Sequence, residues 1–231
     1  GTSEPTVNNA PILDNAHNPI LASIDEDSAV PSGNSSGNLI STLITGISDI
    51  DSGAVNGIAI TGVDTTNGSL YYSISDGSLW SAVGSVADNN ALLLANNSDT
   101  RISFVPNPNY NGTATNILTF RAWDQTSGAS GSKVDTSTNG SSTAFSSALE
   151  TVDITIDAVN DAPIATGSAS LDAIDKGTAD PTGATIYSLF SSNFSDAADA
   201  VTGGSSASIF RGIFITANAA NSITQGKWQW K

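Results

Sequence analysis

The chain has 231 residues, no cysteine and no methionine, and its 22 acidic residues outnumber 7 basic ones, which gives a formal net charge of −15. This composition excludes disulfide bonds and thiolate metal sites. The negative charge argues against nucleic-acid partners, because it repels phosphate backbones. The same excess of carboxylates suits a divalent cation such as Ca²⁺, although solubility alone explains scattered acidic residues.

Short apolar and β-branched runs, separated by Gly, Asn, Asp and Pro, predict strands between residues 19 and 157. The predicted strands are 19–23, 38–43, 57–63, 69–75, 91–94, 101–105, 117–123 and 149–157. A polar stretch at 125–143 is predicted to be a mobile loop or a hairpin excursion. Short strands with turn signals between them are typical of an antiparallel β-sandwich, so the predicted fold class is all-β.

The sequence repeats itself after about 150 residues. The segment NNAPI (Asn8–Ile12) matches NDAPI (Asn160–Ile164), and matching pairs continue downstream as GIAIT at 57–61 with GIFIT at 212–216, and GSLYYS at 68–73 with GKWQWK at 226–231. This repetition predicts a leader or linker at 1–8, a complete sandwich at 9–159, and the N-terminal half of a second, similar repeat at 160–231.

Aromatic residues in the repeat have structural interpretations. Leu70 aligns with Trp228 and Tyr72 with Trp230, two residues apart on one face of a predicted strand, which favours a core face over a sugar-stacking platform. Tyr110, in the segment FVPNPNYNGT, precedes a strand and resembles a tyrosine corner, in which the hydroxyl bonds back to the backbone.

The junction IDAVNDAPI, at 156–164, ends a predicted strand and begins the second copy. It resembles the linker of cadherins and of cadherin-like repeats in giant secreted bacterial surface adhesins, the extender repeats of RTX-type adhesins. In that family an Asp-x-Asn-Asp-Asn-x-Pro segment binds Ca²⁺ between successive domains. The resemblance implies tandem Ig-like β-sandwiches, one complete and one partial.

Carried over to this sequence, the resemblance implies Ca²⁺ as cofactor. The implied metal ligands are Glu26, Asp124, Asp157, Asn160, Asp161, Asp196 and Asp199. The chain departs from the family pattern where Asn160–Asp161 reverses the order of the two residues, and where the second copy spaces its acids as SDAAD. Turn-forming and capping carboxylates are the alternative interpretation of the same residues.

Together these features predict a structural or adhesive module of a large extracellular protein at a bacterial cell surface, stiffened by calcium at the junction of its repeats. Its expected partners are neighbouring repeats of the same protein, without nucleic acid and without membrane insertion. The alternatives are a module that binds glycan or protein, for which cell-surface glycans are candidate ligands, and a subunit that exchanges strands in an extracellular fibre. An enzyme is not expected, since the one histidine, His17, has no nucleophile motif beside it.

Overall fold

The computed structural model describes residues 7–200 and 205–230. It divides into two compact units, of which the first comprises the described residues up to Asn160 together with Ser205. The second comprises 161–200 and 206–230. Within the described ranges, no helix has the length and apolar character that crossing a membrane requires.

The fold is nearly all β, which confirms the predicted class. In chain order the strands are β1 (Ile12–Leu13), β2 (Ile20–Asp25), β3 (Asn38–Leu39), β4 (Ile47–Ser48), β5 (Gly57–Val63), β6 (Gly68–Ser73), β7 (Ser81–Ala82), β8 (Ala91–Ala95), β9 (Arg101–Pro106), β10 (Gly112–Trp123), β11 (Lys133–Val134), β12 (Glu150–Asp157), β13 (Ile164–Ala165) and β14 (Phe194–Ser195). Helical structure among the described residues is confined to α1 (Ile186–Phe190) and three short 3-10 turns at Ile40–Thr42, Asp88–Asn90 and Ser191–Asn193.

Two main sheets build the first unit. The larger has the order β11-β8-β5-β10-β12-β2 and the smaller has the order β3-β9-β6-β7, while β1 and β4 form a separate pair. The described pairings are antiparallel, with the exception of β2 and β12, which run parallel. The parallel pair matters for the site, because the carboxyl ends of β2 and β12 meet at the same edge.

The main hydrophobic core lies between the two sheets. Ile58 and Ile60 of β5 and Phe120 of β10 point into it from the larger sheet, and Ile102 of β9 faces them from the smaller one, all fully buried. Alternate residues of a strand share a face, so the apolar positions two apart in GIAIT produce this arrangement. Each such side chain contributes about 1.5–3 kcal/mol of burial free energy, and the shared core makes the unit a β-sandwich.

The polar segment 125–143 extends and covers the larger sheet. Its strand β11 pairs with β8, and the indole N–H of Trp123 donates to the carbonyl of Ser127 at 2.7 Å. Trp123 and Leu93 belong to a second apolar cluster that includes Phe145, just beyond the segment. The excursion predicted here therefore closes over the outer face of the sheet.

The ring of Tyr110 packs against the core, and its hydroxyl donates to the carbonyl of Thr113 at 3.3 Å. The predicted backbone bond is present, but its acceptor lies three residues downstream rather than upstream, and the bond is exposed. Because solvent competes for both groups, we expect it to stabilise the turn less than a buried bond would.

The second unit contains β13, β14 and α1, with edge-to-face contacts from Phe210 to Tyr187 and Phe194. No strand forms in 206–230. The prediction of a core face in both copies is confirmed for Leu70, which is 4% exposed, and is wrong for Trp228 and Trp230, which are 67% and 95% exposed. In the first unit β6 lies between β9 and β7, and the described part of the second unit has no strand beside its matching segment.

Candidate metal centre

Glu26 directly follows β2, and its position depends on the parallel pairing with β12. Asp25 pairs with Asp157, and the N–H of Glu26 donates to the carbonyl of Asp157 at 2.9 Å. This register places the Glu26 side chain, 4% exposed, beside the chain leaving β12. There the N–H of Val159 donates to Oε1 at 2.6 Å.

Neutral donors hold the Glu26 carboxylate. Besides the N–H of Val159, the side-chain amide of Asn111 donates to Oε2 at 3.0 Å. The ion pairs of the described residues are His17–Asp14, Arg101–Asp76 and Arg121–Asp88, and none of them includes Glu26. Glu26 is therefore a buried carboxylate whose described partners carry no positive charge, an arrangement that favours a cation nearby.

In the second unit, Asp161 and Asp199 are joined through the backbone. The N–H of Asp161 donates to both carboxylate oxygens of Asp199, at 3.1 and 3.2 Å, and Asp199 is 2% exposed. The pairing of β13 with β14, with Ile164 opposite Ser195, brings the two segments together. Asp196 is also buried, and it accepts from the N–H of Ser208 through Oδ2.

Three carboxylates form a group that could hold a metal ion. Glu26, Asp161 and Asp199 each offer one oxygen, and these oxygens lie within 4.8 Å of one another. Like charges at this spacing repel, and a divalent cation converts the repulsion into attraction. The oxygen-only donor set fits a hard ion such as Ca²⁺ or Mg²⁺ and does not fit a thiophilic one.

The predicted ligand set contains these three residues and four others. Asp157 ends β12 with an exposed side chain, and its carbonyl accepts from Glu26. Asn160 directly precedes Asp161 in the chain. Asp157, Asn160 and Asp196 are not among the grouped carboxylates, so their roles as ligands stay predictions.

Asp124 is not among the grouped carboxylates, and the structure places it away from Asp157. β10 is 12 residues long and antiparallel to β12, with Gly112 opposite Ile156, so Asp124 lies at the far end of β10 from Asp157. At about 3.3 Å per residue, a straight strand of this length spans about 40 Å. Asp124 accepts hydrogen bonds from Asn8 at 2.8 Å and from both the N–H and the hydroxyl of Thr126.

The contact between Asp161 and Asp199 in the second unit has a counterpart in the first unit. The N–H of Asn9 donates to Oδ2 of Asp51 and its side-chain amide donates to Oδ1, both at 2.7 Å. The backbone bond, followed by the side-chain bond, lowers the pKa of Asp51 below its ordinary 3.8. The strands β1 and β4 pair here with Ile12 opposite Ser48, as β13 and β14 do in the second unit.

Asn111 is a site residue that sequence reasoning missed. It contacts Glu26 across 85 positions of sequence, and it is 7% exposed. In the sequence, its segment FVPNPNYNGT led to a prediction for Tyr110 alone. The available signal was an Asn directly before the strand that lies beside β12.

Comparison with known proteins finds no matching family model, no matching curated protein and no matching solved structure. The fold and the site define the class as an all-β protein with a group of three carboxylate side chains that could hold a metal ion.

Proposed function

We propose that the chain is a structural or adhesive repeat module of a large extracellular protein at a bacterial cell surface, and that bound calcium stiffens it. The observation that carries the proposal is the grouping of the carboxylates of Glu26, Asp161 and Asp199. Of these residues, Glu26 and Asp199 are buried. The resemblance of the junction 156–164 to cadherin-like linkers supports calcium as the ion. Neighbouring repeats of the same protein are the partners.

The mechanism of stiffening is electrostatic and entropic. Without a cation, the grouped carboxylates repel one another, and the segment 157–161 keeps conformational freedom. Each backbone residue that becomes fixed loses about 1–2 kcal/mol of conformational entropy, which the interaction of the ion with its oxygen ligands must offset. Ion binding thus exchanges charge repulsion for a restrained linker, so that an array of repeats stays extended.

Calorimetric titration of chelator-treated protein with CaCl₂ tests the proposal. We expect wild type to bind with a Kd of about 10⁻⁴–10⁻³ M, the range of extracellular calcium modules. Glu26→Gln removes one charge and retains the shape, and should weaken binding at least about tenfold. Asp64→Asn is the matched control, because Asp64 is an exposed turn residue that bonds Thr66.

Wild-type affinity in Asp64→Asn, together with weak binding in Glu26→Gln, would support the site. If wild type gives no heat of binding and its melting temperature is the same with chelator and with calcium, the proposal is contradicted.

A second candidate function is strand exchange within an extracellular fibre. It is favoured by the exposed apolar residues of 206–230, of which Phe214 is 89% and Trp230 95% exposed. In the first unit the matching strands β5 and β6 are each paired with a neighbouring strand on both edges. Exposed strand-forming segments are sites of strand addition. Open-ended growth of light scattering with concentration would support this function, and a strictly monomeric solution would exclude it.

A further inference from the structure

The side-chain amide of Asn111 has one satisfied end and one unsatisfied end. Its nitrogen donates to Oε2 of Glu26 at 3.0 Å. A carboxylate only accepts at neutral pH, so the nitrogen must face Glu26 and the assignment of the two amide ends is fixed. Oδ1 is buried and has no hydrogen-bond partner within the described part of the chain. A buried amide oxygen in this state needs an explanation.

The turn before β10 holds Asn111 in this position. The N–H of Tyr110 donates to the carbonyl of Asn107 at 3.1 Å, which closes the turn. The N–H of Asn109 donates to Oδ1 of Asp27 at 2.9 Å, and this bond fastens the turn to the residue that follows Glu26. Gly112 then enters β10 with φ +106°, a conformation that suits glycine. The closed turn and its bond to Asp27 therefore hold the Asn111 amide against Glu26.

We propose that Oδ1 of Asn111 is a ligand of the cation that Glu26 binds, an inference that rests on the function proposed above. Ca²⁺ takes six to eight oxygen ligands, and amide carbonyls are among its usual donors. The grouped carboxylates supply three residues. A neutral oxygen raises the coordination number without adding charge repulsion, and the ion satisfies the one amide atom that the protein leaves without a hydrogen bond.

Luminescence lifetimes of bound Eu³⁺, measured in H₂O and in D₂O, test the assignment because they count the water molecules on the ion. Eu³⁺ is a hard cation that takes the same oxygen ligands as calcium. In Asn111→Ala a water molecule replaces the lost oxygen, so the hydration number should rise by about one and calcium affinity should fall about tenfold. Asn111→Asp keeps an oxygen at this position and should retain the wild-type hydration number.

The matched control is Asn107→Ala. Asn107 lies in the same turn, but its side chain donates to the carbonyl of Thr66 on the exposed surface. It should leave both the hydration number and the affinity unchanged. Far-ultraviolet circular dichroism checks that each variant is folded, and if Asn111→Ala does not fold, Asn111→Ser takes its place, because it also removes the amide oxygen and should raise the hydration number by about one.

The outcomes separate this inference from the function it rests on. A higher hydration number in Asn111→Ala than in wild type supports the ligand. Weaker binding with an unchanged hydration number, or an Asn111→Asp value above wild type, overturns the ligand and leaves the calcium function standing, since Asn111 then only positions Glu26. If wild type binds neither Ca²⁺ nor Eu³⁺, both proposals fail.

Discussion

Backbone N–H groups are recurrent partners of the carboxylates in the two linker segments. Val159 donates to Glu26, Asn9 to Asp51, and Asp161 to Asp199. A backbone donor fixes the direction of a carboxylate without neutralising its charge. The negative charge therefore stays available to a bound cation. An Arg or Lys partner would instead neutralise that charge and take the place of the cation.

At the residue scale, Asn9→Ala tests how Asp51 is held. The variant removes the side-chain bond and keeps the stronger bond from the backbone, so the lowered pKa of Asp51 should rise only part of the way towards 3.8. NMR titration of the side-chain carboxyl carbons measures it. Asp64 is the internal reference, because its lowered pKa depends on Thr66 and should not change.

The sign of the pH dependence follows from the direction of the shift. Because the folded-state pKa of Asp51 is lowered, its bonds stabilise the folded protein above about pH 3.8, and this contribution is lost as the pH falls through the folded-state pKa. An unchanged pKa of Asp51 in Asn9→Ala would show that the side-chain bond does not hold the carboxylate in solution.

At the scale of elements, β5 is closely packed at Gly57. A Cβ atom added at Gly57 would lie 2.7 Å from the carbonyl oxygen of Leu94 and 2.8 Å from the ring of Trp123. At Gly62, in the same strand, the nearest atom would be Cβ of Thr119 at 3.5 Å, an ordinary contact. The two glycines therefore form a matched pair for testing strand packing.

We expect Gly57→Ala to lower the free energy of unfolding by about 1–3 kcal/mol, because overpacking forces the backbone of β8 or the Trp123 ring to shift. Gly62→Ala should change it by no more than about 0.5 kcal/mol. Chemical denaturation of both variants measures the difference. Equal midpoints for the two would show that β5 and β8 are not packed as described.

Much of the strand pattern could be predicted from sequence, because alternation and turn residues are local signals. The predicted strand 57–63 coincides with β5. The predicted strand 38–43 is shorter in the structure, where β3 is followed by a 3-10 turn over Ile40–Thr42. The N–H of Ile40 donates to the carbonyl of Thr100, and the Ile40 side chain is fully buried. A distant contact thus decides the local conformation, which a sequence pattern does not report.

The cadherin-like resemblance gave the predicted ligand set, and three of its members, Glu26, Asp161 and Asp199, form the group that could hold a metal ion. It also included Asp124, which the structure places beyond the other end of β10, because a residue at the end of a strand can be assigned to an edge of the sheet only when the pairing direction is known. It also missed Asn111, whose contact with Glu26 depends on how β10 lies against β12.

At the scale of the whole molecule, calcium is proposed to restrict the motion of the two units. The linker residues belong to segments with matching contacts in both units, Asn9 with Asp51 and Asp161 with Asp199. If calcium binds the grouped carboxylates, it restrains the segment 157–161. The absence of native cysteine makes this restraint directly measurable, since two introduced thiols can be labelled without competition.

The most direct test is pulsed electron spin resonance between nitroxide labels at Thr65→Cys and Ser192→Cys, both at exposed positions and one in each unit. We predict a broad distance distribution in chelator that narrows when calcium is added. The same labels combined with Glu26→Gln should stay broad at that calcium concentration. A distribution of equal width with and without calcium in the wild-type background would contradict calcium stiffening.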